Sequence, residues 1–167
     1  MPIPYVSPDS TKPVFSAPTT PYSFHGPSHI FSGENASFMS PSGMNGLCYL
    51  VAQFNSVGEL EHGSVKVVGG IPSLGIPTHT PLLLGSILDV DTFVEGTGPG
   101  AQFKANFIFR IDQDHPALGY TSHFGVWNTY MVIPGWPPTG ISELFRKNWG
   151  PNSAPLNSYI GQVAKVV

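Results

Sequence analysis

The segment that most constrains the fold is residues 101–111, AQFKANFIFRI, where apolar and polar side chains alternate. The alternation is interrupted on the polar side by Ile108 alone. A period of two places alternate side chains on opposite faces of a β-sheet. The segment therefore predicts a strand with one aromatic, apolar face, which carries Phe103, Ala105, Phe107, Phe109 and Ile111.

Other segments predict further strands around this one. Residues 82–94 are mostly apolar and are joined to it by the glycine-rich residues 95–100, which favours an antiparallel hairpin. Residues 47–54, 60–68, 120–133 and 158–167 also have strand character. Residues 69–81 contain three glycines and three prolines, so we expect a loop there without regular structure.

The composition favours many short strands over helices. The chain has 167 residues with 19 glycines and 18 prolines, and only 10% of its residues are charged. Glycine and proline at this frequency suit turns between strands. We predict an all-β protein, an antiparallel β-sandwich or jelly roll, with one short helix at about residues 142–148.

The first 28 residues differ from the rest of the chain. Seven prolines alternate with hydroxyl-bearing and apolar residues, which excludes a helix and favours an extended chain. A disordered linker is one interpretation, but aromatic residues recur every few positions. We therefore predict an extended, proline-rich arm at 1–28 and a single β-sandwich domain at 29–167.

The arm and the last strand are the predicted partner-binding segments. Low charge offers little repulsion between copies, and an apolar final strand would be exposed unless another strand paired with it. We predict a homo-oligomer or larger assembly in which such strands complete a neighbour's sheet. The predicted partner-binding residues are Tyr5, Val6, Val14, Phe15, Tyr22, Phe24, Val163 and Val166.

Several functional classes find no support in the sequence. The net charge is −3 with no basic run, which argues against nucleic-acid binding. No apolar segment reaches the length of a membrane-spanning helix. No catalytic or cofactor motif is present, so we predict a protein that is not an enzyme and has no cofactor. The single cysteine, Cys48, lies in an apolar run and is interpreted as a buried residue.

The second hypothesis is a carbohydrate-binding module. Tryptophan rings stack on sugars, so Trp127, Trp136 and Trp149 are the candidate ligand-binding residues. Asp112 and Asp114 flank one residue near a predicted turn and are the candidate ligands of a stabilising Ca²⁺. Hydrogen bonding of these aspartates to turn backbone is the alternative to metal binding.

The stretch GELEHGSVKVVGGIPSLG, followed by PLLLGSILDVDTFV and GAQFKANFIFRID, resembles the mature region of bacterial exported proteins with the PEP-CTERM sorting signal. The resemblance covers about residues 58–112. It does not extend to residues 1–11, which lack signal-peptide character, or to residues 163–167, which are not a Pro-Glu-Pro signal. The resemblance implies an exported, β-rich protein, so we expect an extracellular or cell-surface structural protein.

Overall fold

The structure is a computed structural model that describes residues 4–12, 14–37, 45–96, 100–132 and 148–166. The described chain forms nine strands and one 3₁₀ turn. They are β1 Pro4–Pro8, β2 Ala17–His25, β3 Ile30–Ser37, β4 Asn45–Phe54, β5 Leu60–Ile71, the turn Pro72–Leu74, β6 Ile76–Glu95, β7 Gln102–Asp114, β8 Phe124–Val132 and β9 Trp149–Val166.

The sheet is antiparallel throughout and closes on itself. Strands β2 to β8 are hydrogen-bonded in chain order, and β9 pairs with both β2 and β8. These eight strands form a barrel. The prediction of an all-β, antiparallel protein is confirmed. The predicted sandwich or jelly roll would have two sheets, whereas here the β8–β9 ladder closes a single sheet into a barrel.

Alternating side chains fill the barrel interior. In β7, Phe103, Ala105, Phe107 and Phe109 are buried, as the period of two predicts. The predicted hairpin is present, because Glu95 of β6 pairs with Gln102 of β7. The aromatic strand therefore supplies one wall of the interior core.

Phe109 is accommodated by glycines on both neighbouring strands. An added Cβ at Gly85 of β6 would lie 2.8 Å from the Phe109 ring, and one at Gly125 of β8 would lie 2.1 Å from Cζ of the same ring. The ring therefore occupies space that side chains at these two positions would otherwise fill.

The predicted loop at 69–81 is mostly strand. Strand β5 continues to Ile71 and β6 begins at Ile76, with only the 3₁₀ turn between them. The β5–β6 register shifts near Pro77 and near Pro81. Proline has no backbone N–H to donate to a ladder, so a strand tolerates it where the regular hydrogen-bond pattern is interrupted. The predicted helix at about 142–148 lies outside the described residues except for Asn148.

The predicted arm contributes two strands to the same sheet. Strand β2 pairs with β3 and with β9, so it is one of the eight barrel strands. Strand β1 pairs with the last part of β9, from Gly161 to Val166. Residues 9–16, which we name the connector, join these two strands.

Candidate functional site

Strand β1 places an apolar side chain on the outside of the barrel. Val6 is only 1% exposed and packs with Ile108 of β7 and Val126 of β8. Ile108 and Val126 are cross-strand partners, and Phe124 and Tyr159 border them. We name Ile108, Phe124, Val126 and Tyr159 the β1 slot. It forms an apolar cluster separate from the barrel interior.

The sequence carried a signal for the β1 slot that residue-by-residue interpretation missed. Ile108 interrupts the polar face of β7, and Val126 and Trp127 make both faces of β8 apolar. An apolar residue on the outer face of a barrel strand is explained when another segment covers it. Here that segment is β1.

The connector is held to the barrel by polar contacts of Asp9. Its backbone N–H donates to the Ile160 carbonyl at 2.8 Å, and its carboxylate lies 3.3 Å from Nε2 of His123. Hydrogen bonds from Thr11 and then from His123 hold the pKa of Asp9 below its ordinary value. The carboxylate is therefore ionised at neutral pH and accepts these hydrogen bonds.

Three of the predicted partner-binding residues lie in the barrel core of their own chain. Phe15, Tyr22 and Phe24 are 4%, 0% and 2% exposed. Val14 packs against the same core and is partly buried. The backbones of Tyr5, Val163 and Val166 belong to the β1–β9 ladder, and their side chains lie outside the described part. Of the predicted residues whose side chains the structure describes, Val6 alone reaches the β1 slot.

Trp127, a predicted sugar platform, lies inside the barrel. Its Nε1 donates a hydrogen bond of 2.9 Å to the hydroxyl of Tyr22. Burial raises the pKa of Tyr22, because removal from water disfavours the phenolate, and the hydrogen bond from Trp127 offsets part of this effect. The Tyr22–Trp127 pair thus joins β2 to β8 through the interior.

Trp149, the second predicted platform, lies at one end of the barrel. Its ring stacks on Phe24 at 6.0 Å and meets Phe31 and Phe103 edge-on. It also lines an outer groove of ≈ 410 Å³ with Asn148 and the residues Ser23, His25, Ser28, Ile30 and Ser32. Trp136, the third predicted platform, lies outside the described residues.

The predicted Ca²⁺ ligands each have partners of their own. Asp112 accepts hydrogen bonds from the Ser86 hydroxyl at 2.5 Å and from Arg110 Nε at 2.7 Å, and these contacts lower its pKa. Asp114 accepts a bond from the Tyr120 backbone N–H, as turn chemistry predicts. Within the described ranges, no group of three or more His, Cys, Asp or Glu side chains is placed to hold a metal ion.

Cys48 is expected to remain unmodified in the folded protein. Its side chain is buried in the core, and burial raises the pKa of the thiol, which disfavours the reactive thiolate. Labelling with a thiol reagent at pH 8 should therefore be at least about 100-fold slower in buffer than in 6 M guanidinium chloride. Equal labelling rates under the two conditions would contradict the burial.

The void inside the barrel that the described residues line is too small for a small-molecule ligand. The interior void beside Cys48 and Trp127 measures only ≈ 10 Å³, about the space of one water molecule. No helix among the described residues has the length and apolar character needed to cross a lipid bilayer.

The chain was also compared with known proteins. No family model, curated protein or solved structure matches it.

Proposed function

We propose that the protein is a non-enzymatic structural subunit that assembles with further copies by exchanging strand β1. In such an assembly, β1 of one copy pairs with β9 of a neighbour and inserts its Val6 into the neighbour's β1 slot. An extracellular or cell-surface location is part of the proposal and rests on the resemblance over residues 58–112. The observation that carries the proposal is the burial of Val6 in a cluster outside the barrel core.

The attachment of β1 suits exchange because it is limited. Among the described strands, β1 pairs with β9 alone, through a ladder of five residues. Burial of Val6 stabilises the docked strand by about 1.5–3 kcal/mol. The barrel itself is closed by β2 and not by β1, so β1 can be released without opening the interior core.

The connector determines how far a released β1 can reach. It contains eight residues, 9–16, but Phe15 is buried in the barrel core, so the free part, residues 9–14, spans at most about 21 Å when extended. In this free part, Asp9 contacts Ile160 of β9 and His123 of the β7–β8 loop. The same contacts form whether these partners belong to the same copy or to a neighbour. Exchange of β1 therefore loses little of their free energy.

Removal of residues 1–8 tests the proposal without opening the barrel. The full chain should form dimers or larger species whose fraction rises with concentration, as measured by size-exclusion chromatography with light scattering. The shortened chain, which has an empty β1 slot and no strand to donate, should be monomeric. It should also bind an added peptide of residues 1–8, which replaces the segment removed, as measured by fluorescence anisotropy.

A matched pair of substitutions separates the β1 slot from general charge effects. Val6→Asp should reduce peptide binding about tenfold or more, because an ionised carboxylate would enter the apolar cluster. Ser7→Asp, on the exposed face of the same strand, should change peptide binding less than threefold. A full chain that stays monomeric at all concentrations, including after unfolding and refolding, would refute the proposal.

A further inference from the structure

A groove lies on the outer face of β4, β5 and β6, away from the β1 slot. It measures ≈ 530 Å³, and its lining combines apolar side chains with hydrogen-bonding and cationic ones. This volume falls in the range of small-molecule sites in proteins. Its side-chain lining is Leu47, Tyr49, Lys66, Val68, Thr78 and His79.

Cross-strand pairing builds the floor and one side of the groove. Leu47 pairs with Val68, and Tyr49 pairs with Lys66. All four side chains lie on the outer face, because the alternating residues Cys48, Leu50, Val65 and Val67 are buried. The sheet therefore presents an apolar floor beside an aromatic ring and an ammonium group.

A bulge in β6 forms the opposite side. Gly69 pairs with Thr80 and Ile71 with Ile76, so residues 77–79 all lie opposite Gly70. Such bulges re-aim side chains and occur often beside functional sites. His79 has a φ of 63°, which is uncommon for a residue other than glycine. This backbone conformation places His79 in the groove lining.

One hydrogen bond and one glycine shape the bulge before any ligand binds. The hydroxyl of Thr80 donates a hydrogen bond of 2.6 Å to the carbonyl of Pro77. Gly70 allows the bulge to approach closely, since a Cβ there would lie 2.9 Å from the backbone nitrogen of Thr78. The groove is thus preorganised, which lowers the entropy cost of binding.

The electrostatics of the groove favour an anion. No carboxylate of the described residues lies within ion-pair distance of Lys66 or His79. The net charge of −3 gives no long-range attraction for an anion, so recognition must rely on these local groups. An aromatic ring beside a cation and a hydroxyl suits a sugar ring that carries a carboxylate.

We propose that this groove binds an acidic saccharide, with Lys66 and His79 contacting its carboxylate and Tyr49 stacking on its ring. The site is distinct from the tryptophans that the sequence suggested as sugar platforms. It is independent of β1 exchange, so either proposal can fail without the other.

Titration calorimetry at low ionic strength tests the site with three probes: an oligogalacturonate, a neutral oligogalactan of the same length, and inorganic phosphate. The oligogalacturonate should bind saturably and at least about tenfold more tightly than the other two. Equal binding of the oligogalactan would overturn the role of the carboxylate. Equal binding of phosphate would overturn the role of the sugar ring, and absence of oligogalacturonate binding would overturn the site.

Matched variants assign the binding to the groove. Lys66→Gln and His79→Asn should each weaken oligogalacturonate binding about tenfold or more, and asparagine tolerates the positive φ at position 79. Lys104→Gln and His62→Asn change the same residue types outside the groove and should alter binding less than twofold. Circular dichroism confirms that each variant is folded. Unchanged binding in folded Lys66→Gln and His79→Asn variants would refute the assignment.

Discussion

Replacement of Trp127 by alanine is expected to lower the free energy of unfolding by about 3–5 kcal/mol. Trp127 is 2% exposed, so the substitution creates a large cavity in the barrel interior. It also removes the donor to the Tyr22 hydroxyl, which joins β8 to β2. The measurement is urea unfolding followed by circular dichroism.

Two further variants separate the contributions at Trp127. Trp127→Phe keeps most of the ring volume but leaves the Tyr22 hydroxyl without the indole donor, so we expect an intermediate loss of about 1–3 kcal/mol. Tyr130→Ala on the same strand is the control, because Tyr130 is 43% exposed and its loss should cost less than about 1 kcal/mol. Similar losses for Trp127→Ala and Tyr130→Ala would contradict the described core.

Replacement of Gly125 by alanine is expected to destabilise the barrel by about 1–3 kcal/mol or more through overpacking. The added Cβ would lie 2.1 Å from Cζ of Phe109, so the ring or the strand must move. Phe109→Leu removes the outer atoms of that ring. The double variant should therefore be less destabilised than the sum of the two single variants.

Gly100→Ala is the matched control for Gly125→Ala. A Cβ at Gly100 meets no atom within 4 Å, so the substitution should change stability by less than about 0.5 kcal/mol. Additive losses for Gly125→Ala and Phe109→Leu, measured by urea unfolding, would show that the two residues do not compete for the same space.

The two proposals use different parts of the barrel surface. Exchange of β1 depends on Val6 and its slot on β7, β8 and β9, whereas the saccharide groove lies on β4, β5 and β6. A subunit with both features would assemble with its own copies while holding an acidic polysaccharide. The combination of these two features would suit a matrix component. The peptide-binding experiment tests the exchange of β1, and the calorimetric experiment tests the saccharide groove.

The sequence alone determined the features that depend on near neighbours in the chain. Alternation in β7 predicted which face of Phe103 to Phe109 is buried, and the glycine-rich residues 95–100 predicted the β6–β7 hairpin. The apolar run around Cys48 predicted its burial. These predictions succeed because side-chain direction and tight turns follow from local backbone geometry.

Only the tertiary structure decided how the strands close. Whether β9 pairs with β2, with β8 or with a second sheet depends on contacts between distant parts of the chain, and the β2–β9 partners are more than a hundred positions apart. The same long-range pairing placed Phe15, Tyr22 and Phe24 in the core and brought Val6 over Ile108. The alternation of residues within a strand shows that the strand has an apolar face. Which segment covers that face depends on the free energy of the whole closed sheet.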